Sequence, residues 1–97
     1  MSLKDSLERV LARRVEIEDR LANSAEMPTD ELTRLSRELA EIRPVADQAA
    51  AVKAMQADLE TARQMLAEAD GDADTITMAE EEITTITADL PEAEQQL

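Results

Sequence analysis

The chain has 97 residues and a net charge of −13; 43% of its residues are hydrophobic, yet it lacks Phe, Tyr, Trp, His and Cys. Disulfide, zinc, haem and thiol chemistry therefore lack ligands, and a single glycine is too few for a phosphate-binding loop. The acidic balance argues against non-specific nucleic-acid binding, including direct binding of DNA, because such binding needs a basic surface.

The first predicted helix covers residues 3–22. Ser2 followed by Asp5 fits a capping box, in which the serine hydroxyl satisfies a free backbone N–H at the start of a helix. Arg14 is the one polar residue on its apolar face. That face consists of Leu3, Leu7, Val10, Ile17 and Leu21.

The second predicted helix covers residues 30–69 and would be about 60 Å long at 1.5 Å per residue. Thr29 is its predicted N-cap, and Gly71 is expected to take a left-handed C-cap conformation just past its end. The apolar spacing crosses Pro44 without a change of phase, which predicts a helix that is kinked near Pro44 but continuous. The predicted core positions are Leu32, Leu35, Leu39, Ile42, Ala46, Ala49, Val52, Met55, Leu59, Ala62, Leu66 and Ala69.

The third predicted helix covers residues 74–97, with an expected kink at Pro91 and with Asp72 or Asp74 as its cap. Its many threonines also suit a strand. Period-two alternation fails in the middle of the segment, however, whereas steps of three and four residues fit throughout. The stripe is Ile76, Ala79, Ile83, Ile86, Leu90, Ala93 and Leu97.

These lengths predict one all-α domain over residues 1–97. Helices 1 and 3 are each about half as long as helix 2, and short turns make both antiparallel to it. Helix 1 should cover the first half of helix 2, and helix 3 the second half. The expected architecture is an elongated, coiled-coil-like antiparallel three-helix bundle with a long kinked second helix.

Two local patterns resemble functional motifs but are better explained structurally. Asp70, Asp72, Asp74 and Glu81 match ligand positions of a calcium loop, but Thr75 stands where that loop needs glycine, which favours helix capping. Met55, Met65 and Met78 are spaced as fillers of the core, not as a binding groove. No cofactor, metal or enzymatic activity is expected.

The positive charges are concentrated in the first two-thirds of the chain. One interpretation pairs them with glutamates one helical turn away, as in Glu16/Arg20, Arg34/Glu38 and Arg37/Glu41. The other is a basic docking face for a partner. The candidate docking residues are Arg9, Arg13, Arg20, Arg34 and Arg37.

The chain is expected to act in the cytoplasm. Its first residues lack the apolar run of a signal peptide, and no stretch approaches the ~20 apolar residues of a membrane span.

Several segments, in a collinear order that spans essentially the whole chain, resemble the N-terminal helical domain of bacterial peptide chain release factors, specifically the release factor 1 type. The segments are 7–13, 35–38, 40–45, 59–66, 78–83 and 94–97. The Gly-Gly-Gln and Pro-x-Thr elements of that family are absent. The resemblance therefore implies a domain fragment that ends before the catalytic and codon-reading domains, and no catalytic residue can be carried over.

The resemblance also implies partners. In that family the domain approaches the stalk base of the ribosome, contributes to docking of the glutamine methyltransferase, and lies where the GTPase release factor acts. The rival hypothesis is a generic acidic coiled-coil interaction module unrelated to termination. Partly uncovered apolar flanks are expected to allow self-association of the isolated chain.

Overall fold

The computed structural model describes residues 2–97, and within them the fold is all-α, as predicted. Helix α1 spans Leu3–Ala22, α2 spans Thr29–Ala67 and α3 spans Ala73–Gln95; a short 3₁₀ turn, Ser24–Glu26, lies between α1 and α2. None of the described residues is in a strand. The strand alternative for the threonine-rich segment is therefore wrong.

The chain divides into two compact units, Met1–Ala50 and Ala51–Leu97, and α2 contributes to both. In the first unit α1 packs on α2, where Ile17 meets Leu35 and Leu39 in one buried cluster. Leu21, Met27 and Ile42 pack around that cluster and are only partly buried. In the second unit α3 lies against the C-terminal part of α2, where Ala62 and Ala79 are both buried.

The ends of the helices follow local hydrogen-bonding chemistry. The Ser2 hydroxyl accepts a hydrogen bond from the backbone N–H of Asp5, at 3.2 Å, as the capping prediction required. Thr29 is not the N-cap of α2 but its first helical residue. The Leu32 N–H donates to the Pro28 carbonyl at 3.0 Å, and this is the first backbone hydrogen bond of the helix. Pro28 has no backbone N–H, but this causes no loss here because the N–H groups at the start of a helix have no partner within the helix.

The connection between α2 and α3 is a tight turn from Ala69 to Asp72, closed by a 2.9 Å bond from the Asp72 N–H to the Ala69 carbonyl. Gly71 is left-handed as predicted, with φ of 84°, but it lies in this turn, beyond the last residue of α2. Asp70 also has a positive φ, 45°. Asp-Gly pairs favour turns with two such residues, because Asp tolerates this region and Gly adopts it freely.

Asp72 is the N-cap of α3. Its Oδ1 accepts from the N–H groups of Asp74 and Thr75, and the Thr75 hydroxyl donates to Oδ2 at 2.9 Å. These bonds, the one from the Thr75 hydroxyl above all, lower the pKa of the Asp72 carboxyl. Thr75, which stands where a calcium loop needs glycine, thus contributes two hydrogen bonds to the cap of α3.

Neither proline interrupts its helix: Pro44 lies inside α2 and Pro91 inside α3. The continuity predicted across Pro44 is confirmed, whereas the kink stays a prediction. The threonines of α3 are also accommodated within a helix. The Thr84 hydroxyl donates to the Glu80 carbonyl one turn earlier, at 2.9 Å, which gives the polar atom of a β-branched side chain a partner.

The core consists of aliphatic residues and alanines from the predicted stripes. The buried hydrophobic residues are Leu7, Ile17, Leu35, Leu39, Ala46, Ala49, Val52, Leu59, Ala62, Ala79 and Ile86. Three predicted stripe residues are exposed instead: Leu3, Leu32 and Leu97, at 41%, 37% and 39%. Each lies near the end of a helix, where fewer neighbouring side chains are available to cover it.

Candidate docking surface

Arg13 of α1 binds Glu38 of α2 through two hydrogen bonds. Its Nε lies 2.5 Å from Glu38 Oε2, and its Nη2 lies 2.7 Å from Oε1. Nη1 also lies 3.0 Å from Glu16 Oε1. The hydrogen bonds between Arg13 and Glu38 raise the pKa of the Arg13 guanidinium and lower the pKa of the Glu38 carboxyl. Such a two-pronged pair fixes the orientation of both side chains.

Arg14, the polar residue on the apolar face of α1, also reaches across to α2. Its Nη1 lies 2.9 Å from Asp47 Oδ1, and its Nε lies 3.7 Å from Glu18 on its own helix. Only 26% of its side chain is exposed. The aliphatic stem thus covers apolar surface while the guanidinium meets a carboxylate at the rim.

Arg20 near the end of α1 pairs with Glu31 near the start of α2. Arginines 13, 14 and 20 therefore join the two helices of the first unit. None of the predicted one-turn pairs is among the ion pairs of residues 2–97: neither Glu16/Arg20, nor Arg34/Glu38, nor Arg37/Glu41. Two other one-turn pairs do form on α1, Arg13–Glu16 and Arg14–Glu18, and both arginines also reach a carboxylate of α2.

Arg9, Arg34 and Arg37 have a different environment from these three. All are exposed, and within the described chain none takes part in an ion pair. Arg34 and Arg37 line one open groove on α2 together with Asp30, Thr33, Glu38 and Glu41. Arg34 also helps to lower the pKa of Glu38 through its charge. Of the five candidate docking residues, Arg13 and Arg20 are thus engaged within the first unit, and the other three face solvent.

The Arg13–Glu38 pair predicts a pH-dependent stability. Glu38→Gln should lower the Tm by a few degrees at pH 7, because the variant loses one charge of a two-pronged pair. The pKa of Glu38 in the folded chain lies below its ordinary value of 4.5, so the pair stabilises the fold above that pH and stops doing so as the pH falls through the folded value. The Tm difference between the two proteins should be constant down to about pH 5 and then shrink.

Glu41→Gln is the matched control for this measurement. It removes one carboxylate from the same helix, at an exposed residue that forms no ion pair with any residue from 2 to 97. A Tm that responds equally to both substitutions, or a Glu38→Gln difference that grows in acid, would rule out the stabilising role of the pair.

The second unit has an exposed apolar surface that the helical spacing of the sequence did not predict. Met65 is 42% exposed and Met78 is 64% exposed, so the prediction that they fill the core is wrong. Both line one groove between α2 and α3. A signal was present in the sequence, because each methionine immediately precedes a residue of the apolar stripe, Leu66 or Ala79, and so lies off the stripe itself.

Within residues 2–97 no three carboxylate, His or Cys side chains converge as a metal site would require. None of the helices in this part of the chain combines the length and the apolar character that crossing a membrane demands.

Comparison with known proteins agrees with the resemblance described above. The chain is 40% identical over 91 residues to peptide chain release factor 1 of Erythrobacter litoralis, an alignment that covers 94% of this chain and 24% of that protein. It is 35% identical over 94 residues to the factor of Ruegeria pomeroyi, covering 97% of this chain and 25% of that protein. It is 40% identical over 98 residues to peptide chain release factor 1 of Novosphingobium aromaticivorans, covering 100% of this chain and 26% of that protein.

The chain thus spans about a quarter of the length of the curated relatives that it matches. No solved structure matches it significantly. The profile of the PCRF domain family matches residues 10–97, which include most of α1 and all of α2 and α3. This chain belongs to the PCRF domain family.

Proposed function

We propose that this chain is a docking domain of a peptide chain release factor and serves translation termination on the ribosome in the cytoplasm. The observation that carries the proposal is the 35–40% identity to three release factors 1 over nearly the whole chain. Residues 1–97 would act as one helical domain within a longer protein. The other domains of that protein would read the stop codon and release the peptide.

Binding without catalysis is the role that the side chains support. A carboxyl that acts as a general acid near neutral pH needs a raised pKa, usually through burial. The pKa values of the Glu38 and Asp72 carboxyls are instead shifted downwards by hydrogen bonds. Both carboxyls have structural roles: Glu38 binds Arg13 of α1, and Asp72 caps the start of α3. The chain would therefore contribute affinity and position to a larger protein.

Arg9, Arg34 and Arg37 are the residues that we assign to partner contact in the first unit. A docking arginine must keep its guanidinium donors available, and these three are exposed and outside the ion pairs of the described chain. Arg13 and Arg20 would support the surface indirectly, because they hold α1 against α2. The partners implied by the family resemblance are the stalk base of the ribosome, the release factor glutamine methyltransferase and the GTPase release factor.

A chimeric release factor tests this function. The segment of Erythrobacter litoralis release factor 1 that aligns with this chain is replaced by the 97-residue chain, and peptide release at a stop codon is measured on purified ribosomes. The chimera should release peptide at a rate close to that of the unmodified factor, and the isolated chain should release none.

The matched control for the chimera carries an unrelated helical hairpin of equal length in the same place. That control should lose activity if the domain provides specific contacts. Equal activity of the two chimeras would show that the segment is only a spacer. An inactive chimera that still folds, by circular dichroism, would contradict the assignment.

A further inference from the structure

The groove between α2 and α3 in the second unit combines small buried side chains with large exposed ones. Its floor contains Ala62 of α2 and Ala79 of α3, which are 3% and 2% exposed. These small side chains leave the apolar surfaces of Met65 and Met78 open above them, at 42% and 64% exposed. Methionine is unbranched and polarisable, and exposed pairs of this kind adapt to the apolar side chains of a partner.

The rim of this groove and the rest of its unit are acidic. Asp58 and Glu82 line the groove together with the two methionines. Residues 51–97 hold two Lys or Arg against twelve Asp or Glu, a net charge of −10, and residues 64–97 hold no basic residue. A ligand of this surface must therefore present apolar side chains to the methionines and positive charge to the carboxylates.

We propose that the groove is a docking site for a cationic amphipathic helix of a partner protein. Such a helix places an apolar stripe in a groove and keeps its lysines or arginines at the rim. Like charge disfavours the alternatives: a second copy would bring another net charge of −10 to the surface, and RNA or an anionic membrane would bring phosphates. The site is separate from the arginines of the first unit and does not depend on the role of the chain in termination.

The test uses the full 97-residue chain with labelled methionine methyl groups and NMR. The probe is a synthetic amphipathic helix of Leu and Lys, and the comparison probe has Glu at every Lys position. The Lys peptide should shift the methyl signals of Met65 and Met78 and leave that of Met27, in the first unit, unchanged. The Glu peptide should shift none of these signals. Added salt should weaken binding, because the carboxylates attract the lysines.

Matched variants separate the groove from the general acidity of the chain. Met78→Gln should weaken the Lys peptide about fivefold or more, whereas Val15→Gln, at a 54% exposed apolar residue of α1, should not. Glu82→Gln should weaken it about threefold more than Glu81→Gln, because Glu82 lines the groove and its neighbour does not. All four positions are exposed, so circular dichroism should show unchanged folding.

Several results would overturn the proposal. The effect would be non-specific attraction if Met78→Gln left the binding of the Lys peptide unchanged, or if the two glutamate variants weakened it equally. The same conclusion would follow if the methyl signal of Met27 shifted as much as that of Met78. Methyl shifts of Met65 and Met78 that depend on the concentration of the chain alone would identify a second copy as the occupant.

Discussion

Leu35→Ala is expected to lower the free energy of unfolding by about 2–5 kcal/mol, the range observed when a buried leucine is cut back to alanine. Leu35 is fully buried and lies with Ile17 and Leu39 in the cluster that joins α1 to α2. No aromatic side chain is present to fill the space left behind. Since domains of this size have a total stability of about 5–15 kcal/mol, the loss should be plain in urea unfolding followed by circular dichroism.

The control for this substitution is Val15→Ala. Val15 is 54% exposed on α1, and alanine favours a helix more than valine does, so this variant should be as stable as the original chain or slightly more stable. If Leu35→Ala and Val15→Ala unfolded at the same urea concentration, the cluster would not be the core of the first unit.

Ala46→Leu should also destabilise the fold, by about 1–3 kcal/mol, although it adds apolar surface. Ala46 is fully buried, and four of the eleven buried hydrophobic residues among residues 2–97 are alanines. Because Ala46 has no exposed surface, three more carbon atoms at this position are expected to push the helix backbone or the neighbouring side chains apart. The same urea titration measures the loss.

Ala40→Leu is the matched control, because it makes the same chemical change at an exposed residue of the same helix. It should change the free energy of unfolding by less than about 0.5 kcal/mol. An unchanged or increased stability of Ala46→Leu would show that the buried alanines lie beside space that a larger side chain can fill.

The helices and most of the core could be predicted from the sequence because the pattern is redundant. Apolar steps of three and four residues continue through Pro44 and through the threonines of α3, so one unfavourable residue does not erase the signal. Boundary chemistry is less redundant. Whether Thr29 is a cap or the first residue of a helix depends on one hydrogen bond, that of the Leu32 N–H to Pro28.

The surface was harder to predict, because helical spacing identifies only neighbours on the same helix. Spacing suggested Arg34/Glu38, whereas the partner of Glu38 is Arg13, which is 25 residues away in the sequence. The exposure of Met65 and Met78 likewise depends on where α3 lies against α2. The role of Arg14 is intermediate: its place on an apolar face could be seen in the sequence, but its partner Asp47 could not.

The most direct test of docking without catalysis is a kinetic measurement on the chimeric factor carrying Arg34→Glu and Arg37→Glu. Peptide release is followed as a function of factor concentration, and Lys53→Glu with Arg63→Glu is the control that makes the same charge change at exposed residues of the second unit. The proposal predicts a KM for the ribosome about tenfold higher, an unchanged kcat, and little effect of the control pair. A lower kcat with an unchanged KM would contradict it.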